Sequence, residues 1–206
     1  MIEAARALFV DLGYVATTIN AIAERADVAP ETVYASFGNK RSLLAALVDV
    51  SIAGDATAAP ILEQDWVRTM GDEPDARRRL RILAGQGRSI LERRSVVDEI
   101  VQGAAAADAE IAALRDRGRA QRFEGQRRLL AVVVGTTGLR KGLDVETATD
   151  VLYALGSPET WRLLVVDRGW TADEFEDWYA ETLERLFLEP DSTATATAAD
   201  AADPTT

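Results

Sequence analysis

Apolar residues recur at three- and four-residue spacing through almost every informative stretch of this chain, and no stretch alternates like a half-buried strand between hairpin turns. That periodicity predicts an all-α fold. Ile2, Ala5, Leu8, Phe9 and Leu12 share one face of a first helix, which Gly13 stops. Ile19, Ile22, Ala23 and Ala26 repeat the spacing behind Thr18, a favoured N-cap residue. Pro30, suited to a first helical position, opens a third helix ending at Phe37. Asn39 caps a fourth, whose buried stripe is Leu43, Leu44, Leu47 and Val48.

Pro60, Gly71 and Pro74 then punctuate a less regular stretch, with one short helix near Leu62 to Met70. It reads as the join between a head, residues 1–50, and a body, residues 51–190. Helices are predicted over about 74–94, 95–106 and 108–134, then over 145–155 and 158–168. Thr171 and Glu174 form a capping box for the last helix, and Trp170 and Phe175 stand where a hydrophobic staple would join them. Residues 191–206 carry no large apolar side chain and are expected to be a disordered tail.

Composition narrows the chemistry. The 206 residues include no histidine and no cysteine, which removes Ser-His-Asp and Cys-His catalysis, thiolate or imidazole metal sites and disulfides. Carboxylate, lysine or tyrosine chemistry remains, but Asp108 and Glu110 are two apart and point to different helix faces, and no acidic cluster has metal-binding spacing. No enzyme activity, cofactor or metal is expected. No apolar run approaches membrane-spanning length and no charged leader precedes one, so the chain reads as soluble and cytoplasmic, with no membrane partner.

The segment Thr18 to Phe37, TINAIAERADVAPETVYASF, has the layout of a helix-turn-helix, in which the second helix lies in the major groove. Spacing alone leaves two readings open: a DNA reader, or two helices packed in a small bundle. Lys40 and Arg41 stand at a helix start, where a cation opposes the helix macrodipole by about 0.3–1 kcal/mol. That is mildly unfavourable in the free protein and favourable once a phosphate lodges there. Tyr34 either packs with its hydroxyl at the rim or offers that hydroxyl to phosphate. Glu31 sits in a first turn, stabilised by the dipole, and as a reader it could accept from cytosine N4.

With its flanks, Ala4 to Leu47 resembles the TetR family of bacterial transcriptional regulators. The residues that carry the resemblance are AARALFVDLGY, then Thr18 and Ile22-Ala23, then Thr32, Tyr34 and Phe37, and finally GNKRSLL from Gly38 to Leu44. Further on, only the helical plan and SPETWRLLVVDRGW resemble the family. The resemblance implies a three-helix DNA-binding head on a helical ligand-binding and dimerisation bundle, acting as a homodimeric repressor that a small-molecule effector releases from operator DNA. It makes Thr18, Tyr34 and Lys40 phosphate contacts and turns Asn20, Glu31 and Thr32 toward base edges, with Ser36 and Arg41 completing the DNA-binding set and Phe37, Leu8, Phe9 and Ile22 in the head core. Three positions depart from the family pattern: Asp27 replaces a turn glycine, Ala29 a serine cap, and Ser36 a larger ring residue. A basic segment before the first helix is also missing, so either the start lies upstream or the head binds weakly.

In the body, large side chains on more than one side of the last helices, Trp161, Leu164, Phe175, Trp178, Tyr179 and Leu183, suit a dimer interface; a single monomer core is the plainer reading. Candidate effector-binding residues are Ile82, Gln86, Arg88, Ile100, Ala104, Tyr153 and Trp161, while Gly85 and Gly87 either leave space or let helices approach. Arg77, Arg78, Arg79 and Arg81 read as a solvated face. The alternatives to a regulator are an all-helical interaction protein with a degenerate head, and a carboxylate enzyme.

The chain carries 23 Lys and Arg against 34 Asp and Glu, a formal net charge of −11, which as a bulk value disfavours a polyanionic partner. Residues 1–50 hold only −2 of it, with four basic residues, Arg6, Arg25, Lys40 and Arg41, against six acidic ones. Neutralisation of about 4–6 phosphates by a dimer through Lys40, Arg41 and Arg25 predicts a log–log salt slope of roughly −4 to −5.

Overall fold

The computed structural model describes residues 1–54, 59–135 and 137–190. The expected tail lies outside them. The fold is all-α, with no strand among the described residues. The helices are α1 (Ile2–Ala16), α2 (Ile19–Arg25), α3 (Pro30–Phe37), α4 (Lys40–Ala53), α5 (Asp65–Asp72), α6 (Ala76–Ala105), α7 (Ala109–Val134), α8 (Val145–Leu155), α9 (Pro158–Trp161) and α10 (Ala172–Phe187). A 3-10 turn, Ile61–Glu63, precedes α5, and a π-helical turn, Arg162–Asp167, follows α9. Among the described residues no helix is long and apolar enough to cross a membrane.

Local chemistry sets most of the helix starts. Side-chain oxygens of Thr18, Asn39, Asp75, Asp108, Asp144 and Ser157 each accept from an N–H in the first turn of the helix that follows. Thr171 and Glu174 make both bonds of the capping box. The staple differs from expectation: Trp170 meets Trp178 edge-on at 5.9 Å, while Phe175 packs inward on Trp161 at 4.9 Å. Gly13, at φ +79°, breaks the helical path inside α1.

Two apolar clusters organise these helices. One gathers Phe9, Ile22, Val33, Leu43, Leu44 and Leu47 from α1–α4, together with Val97, Val101 and Ala104 of α6 and Ile111 of α7. The other gathers Met70, Leu80, Leu130, Leu152, Phe175, Leu183 and Phe187 from α5–α8 and α10. Helix α6 serves both, being one rod of 30 residues and about 45 Å long at 1.5 Å per residue. The two helices predicted over 74–94 and 95–106 are thus a single helix. No glycine or proline stands at the expected break, and Arg94 spans it by donating to both oxygens of Asp98, at 2.9 and 2.7 Å, an i,i+4 pair.

The arginine run at the start of α6 is not a uniform solvated face. Arg79 is buried and donates to the Glu73 and Val133 carbonyls, capping the carboxy-terminal end of α7, while Arg77 and Arg81 pair with Glu184 of α10. At Gly85 a Cβ would meet Glu176 Oε1 at 3.0 Å, and at Gly87 it would meet the Tyr179 ring at 3.4 Å. These two glycines therefore serve close approach of α10 to α6.

Candidate functional site

The α2–turn–α3 unit is braced from below by Thr17, whose buried hydroxyl donates to the carbonyls of Leu8, at 3.1 Å, and Gly13, at 2.8 Å. Thr18 caps α2, accepting from the Ala21 N–H at 3.1 Å. In the turn, Asp27 takes φ +53°, the left-handed conformation that a glycine would enter without a Cβ penalty. Ala29 makes no side-chain cap, and Pro30 at N1 sets the entry of α3.

Along α3 only Val33 is buried, and Phe37 is half-buried. Glu31, Thr32, Tyr34 and Ser36 are exposed, as are Thr18 and Asn20 on the neighbouring helix start. Tyr34 stands 51% exposed, although tyrosine is a residue that a small head would ordinarily pack. The Ser36 hydroxyl donates back to the Thr32 carbonyl at 2.9 Å. A helix anchored by so little of its surface presents the rest outward.

Lys40 and Arg41 differ from expectation, because neither is uncompensated in the free protein. Lys40 Nζ donates to three main-chain carbonyls, Tyr14 at 2.7 Å, Val15 at 3.3 Å and Thr17 at 2.7 Å, and lies 4.4 Å from the Tyr14 ring centroid. An ammonium has three donors, and all three are taken. Although the cation opposes the dipole of its own helix, it sits on the carbonyl end of α1. Arg41 Nε donates to Asp108 at 2.8 Å, and its terminal nitrogen pairs with Glu110 at 3.0 Å. That hydrogen bond holds the Asp108 carboxyl below its ordinary value. Asp108 and Glu110 converge despite their spacing because Asp108, the N-cap of α7, has extended backbone rather than helical geometry. Tyr14, Thr17 and Asp108 carry no sequence signal for these roles, being 26, 23 and 67 residues from their partners.

Between α4, α6, α7 and α9 lies a cleft of about 740 Å³. Ala45, Val48 and Ile52 of α4 form an apolar wall, and Arg115, Arg117, Arg119 and Arg122 of α7 line it together with Arg162 of the π-helical turn. None of the seven residues expected at an effector site lines this cleft. Ile100 and Ala104 belong to the head-side core and border a separate hollow against α1. Arg88 pairs with Asp173 at 3.0 Å, and half-buried Gln86 and Ile82 lie along the same stretch of α6. Tyr153 lies under the Arg122 guanidinium at 3.8 Å. The proposed dimer residues Trp161, Phe175, Tyr179 and Leu183 are 3, 0, 2 and 0% exposed within a single chain, so their surface is spent on the protomer's own core. Leu164 and Trp178 are half-buried against that core. Burial also pushes the Tyr179 phenol far above its ordinary value.

Residues 1–47 match the family model described as bacterial regulatory proteins, tetR family. No curated protein matches the chain at a significant level. Among solved structures, a TetR-family transcriptional regulator from Mesorhizobium loti aligns with a TM-score of 0.68 at 18% identity, over 91% of this chain and 95% of that one. The transcriptional regulator FadR from Bacillus subtilis, in complex with stearoyl-CoA, aligns with 0.67 at 19% identity, over 88% and 95%. A transcriptional regulator from Saccharomonospora viridis, in complex with choline, aligns with 0.67 at 20% identity, over 92% and 96%. Residues 1–47 are thus similar to the tetR family of bacterial regulatory proteins, and the whole chain shares the fold of these solved structures.

Proposed function

We propose that this chain is a homodimeric repressor whose two α3 helices enter successive major grooves of operator DNA and which a small-molecule effector releases. The observation that carries the reading is the outward surface of α3, where Glu31, Thr32, Tyr34 and Ser36 are all unburied around the single anchor Val33. Thr18 and Tyr34 are phosphate contacts in this reading, and Asn20, Glu31 and Thr32 face base edges. Arg41 reaches phosphate by leaving Asp108 and Glu110, and Lys40 acts mainly by fixing α1 against α4.

The partner surface in this reading is the π-helical turn, where Leu163 and Val166 are 54 and 58% exposed while Trp161, just before it, points into the core. An extra residue per turn displaces side chains around the helix axis, which separates an inward from an outward apolar set. The cleft is the effector site: it joins α4 of the head to α7 and α9, so a molecule filling it bears directly on head position. Two of the structures with the same fold hold stearoyl-CoA and choline, which supports a small-molecule ligand here without choosing between them.

Footprinting of the promoter beside its own reading frame is the direct test, with protection expected over two half-sites about one helical turn apart. No protection at low salt overturns the repressor reading. Light scattering should give twice the chain mass, and Leu163→Glu with Val166→Glu should return it to one.

A further inference from the structure

We propose that the cleft between α4 and α7 takes an anionic amphiphile, a small molecule with an apolar body and a phosphate or carboxylate headgroup; this rests on the reading of the cleft as the effector site. Six arginines line it, Arg94, Arg115, Arg117, Arg119, Arg122 and Arg162, against four carboxylates, Asp49, Asp98, Glu99 and Glu159. That is an excess of positive charge in a chain whose net charge is −11.

Pairing narrows the available donors to two, because four of the six arginines already meet a carboxylate. Asp98 is consumed by Arg94 at 2.7 Å and Glu159 by Arg119 at 3.4 Å. Arg115 and Arg162 pair with Asp116 and Asp167, neither of which lines the cleft. Arg122 is held by the main-chain carbonyls of Tyr153, at 3.2 Å, and Gly156, at 3.4 Å, with no carboxylate on it. Arg117 has no hydrogen bond or ion pair among the described residues. Asp49 on α4 and Glu99 on α6 are the remaining acidic groups. On the α7 wall Arg117 and Arg122 are therefore the guanidiniums without a carboxylate, and guanidinium matches phosphate and carboxylate in a two-pronged geometry.

The volume and the opposite wall set the rest of the ligand. About 740 Å³ is far more than one inorganic anion fills and lies in the range of small-molecule sites. Ala45, Val48 and Ile52 of α4 with Leu114 of α7 supply apolar contact for a hydrocarbon body. No phenylalanine, tyrosine or tryptophan is among the lining residues, so a quaternary ammonium ligand would find no aromatic face.

Isothermal calorimetry on the full chain with octyl phosphate, octanoate, octyltrimethylammonium and inorganic phosphate tests this. At least one of the two anionic amphiphiles should bind about tenfold or more tightly than the ammonium and than inorganic phosphate, and the two together show which headgroup is preferred. Arg115→Gln with Arg117→Gln, on the outer part of α7, should weaken that binding about tenfold with an unchanged melting temperature. The proposal is overturned if the ammonium binds as tightly, if inorganic phosphate alone binds as tightly, if the double variant binds as before, or if none of the four binds. Fluorescence anisotropy with operator DNA is read separately. An anion that binds without releasing DNA defeats the effector reading while leaving the ligand class intact.

Discussion

Lys40 and Arg41, at the foot of α4, are both engaged by the protein itself, whereas Arg117, on the cleft wall of α7, has no partner among the described residues. The head contains the residues expected to meet a polyanion, yet its basic groups near α4 are used for cohesion: one caps α1, and the other ties the head to α7. The body of an acidic chain contains the arginines that remain available. A cation's position in the sequence says which helix it opposes; only its neighbours in space say whether it is free to bind something else.

The largest effect follows from Lys40. If its ammonium is a structural cap, Lys40→Met should destabilise the full chain by about 1.5–3 kcal/mol in urea unfolding, the usual worth of hydrogen bonds to a charged group. Lys40→Arg should recover part of the loss. A cost near zero would return Lys40 to the same class as Arg117 and break the contrast.

Arg41 gives the next effect. Asp108→Asn with Glu110→Gln removes two negative charges beside the head and frees the guanidinium, while asparagine keeps the α7 cap. Affinity for nonspecific duplex should rise about threefold to tenfold, and the log–log salt slope should steepen by about 2, one added phosphate per head in a dimer. An unchanged slope would mean that Arg41 reaches no phosphate even when released.

Two smaller effects sharpen the comparison. Gly125 lies inside α7, and nothing stands within 4 Å of a Cβ added there. Gly125→Ala should therefore raise stability by about 0.5–1 kcal/mol through helix propensity, leaving DNA and anion binding unchanged. The last concerns pH. Because the Arg41 bond depresses the folded-state value of Asp108, its contribution is present above the ordinary aspartate value and fades as pH falls through the depressed one. The melting-temperature gap between wild type and Asp108→Asn should hold from about pH 8 to 5 and close below about pH 4.

The parts of the fold legible in the sequence are those governed by local geometry. Thr18, Asn39 and the Thr171–Glu174 box cap the helices that their positions predict, because a cap involves only the next three residues. Val145–Leu155 has the predicted bounds for the same reason. What was not legible depended on partners elsewhere. Trp161, Phe175, Tyr179 and Leu183 read as wide enough for two faces, yet α6 and α8 absorb that width. The cleft was not legible because its walls come from α4, α6, α7 and α9, segments whose convergence no periodicity encodes.

By itself the sequence determined the helical class, most helix starts and the helix-turn-helix layout of α2 and α3, because each is written in spacings of three or four residues. Tertiary structure alone decided that α6 threads both cores, that Lys40 meets the carbonyl end of α1, that Asp108 and Glu110 hold Arg41, and where a cleft opens. The physical reason is range: backbone geometry and capping are fixed within a turn or two, whereas the state of a charge is set by whichever groups the folded chain brings within a few ångströms of it.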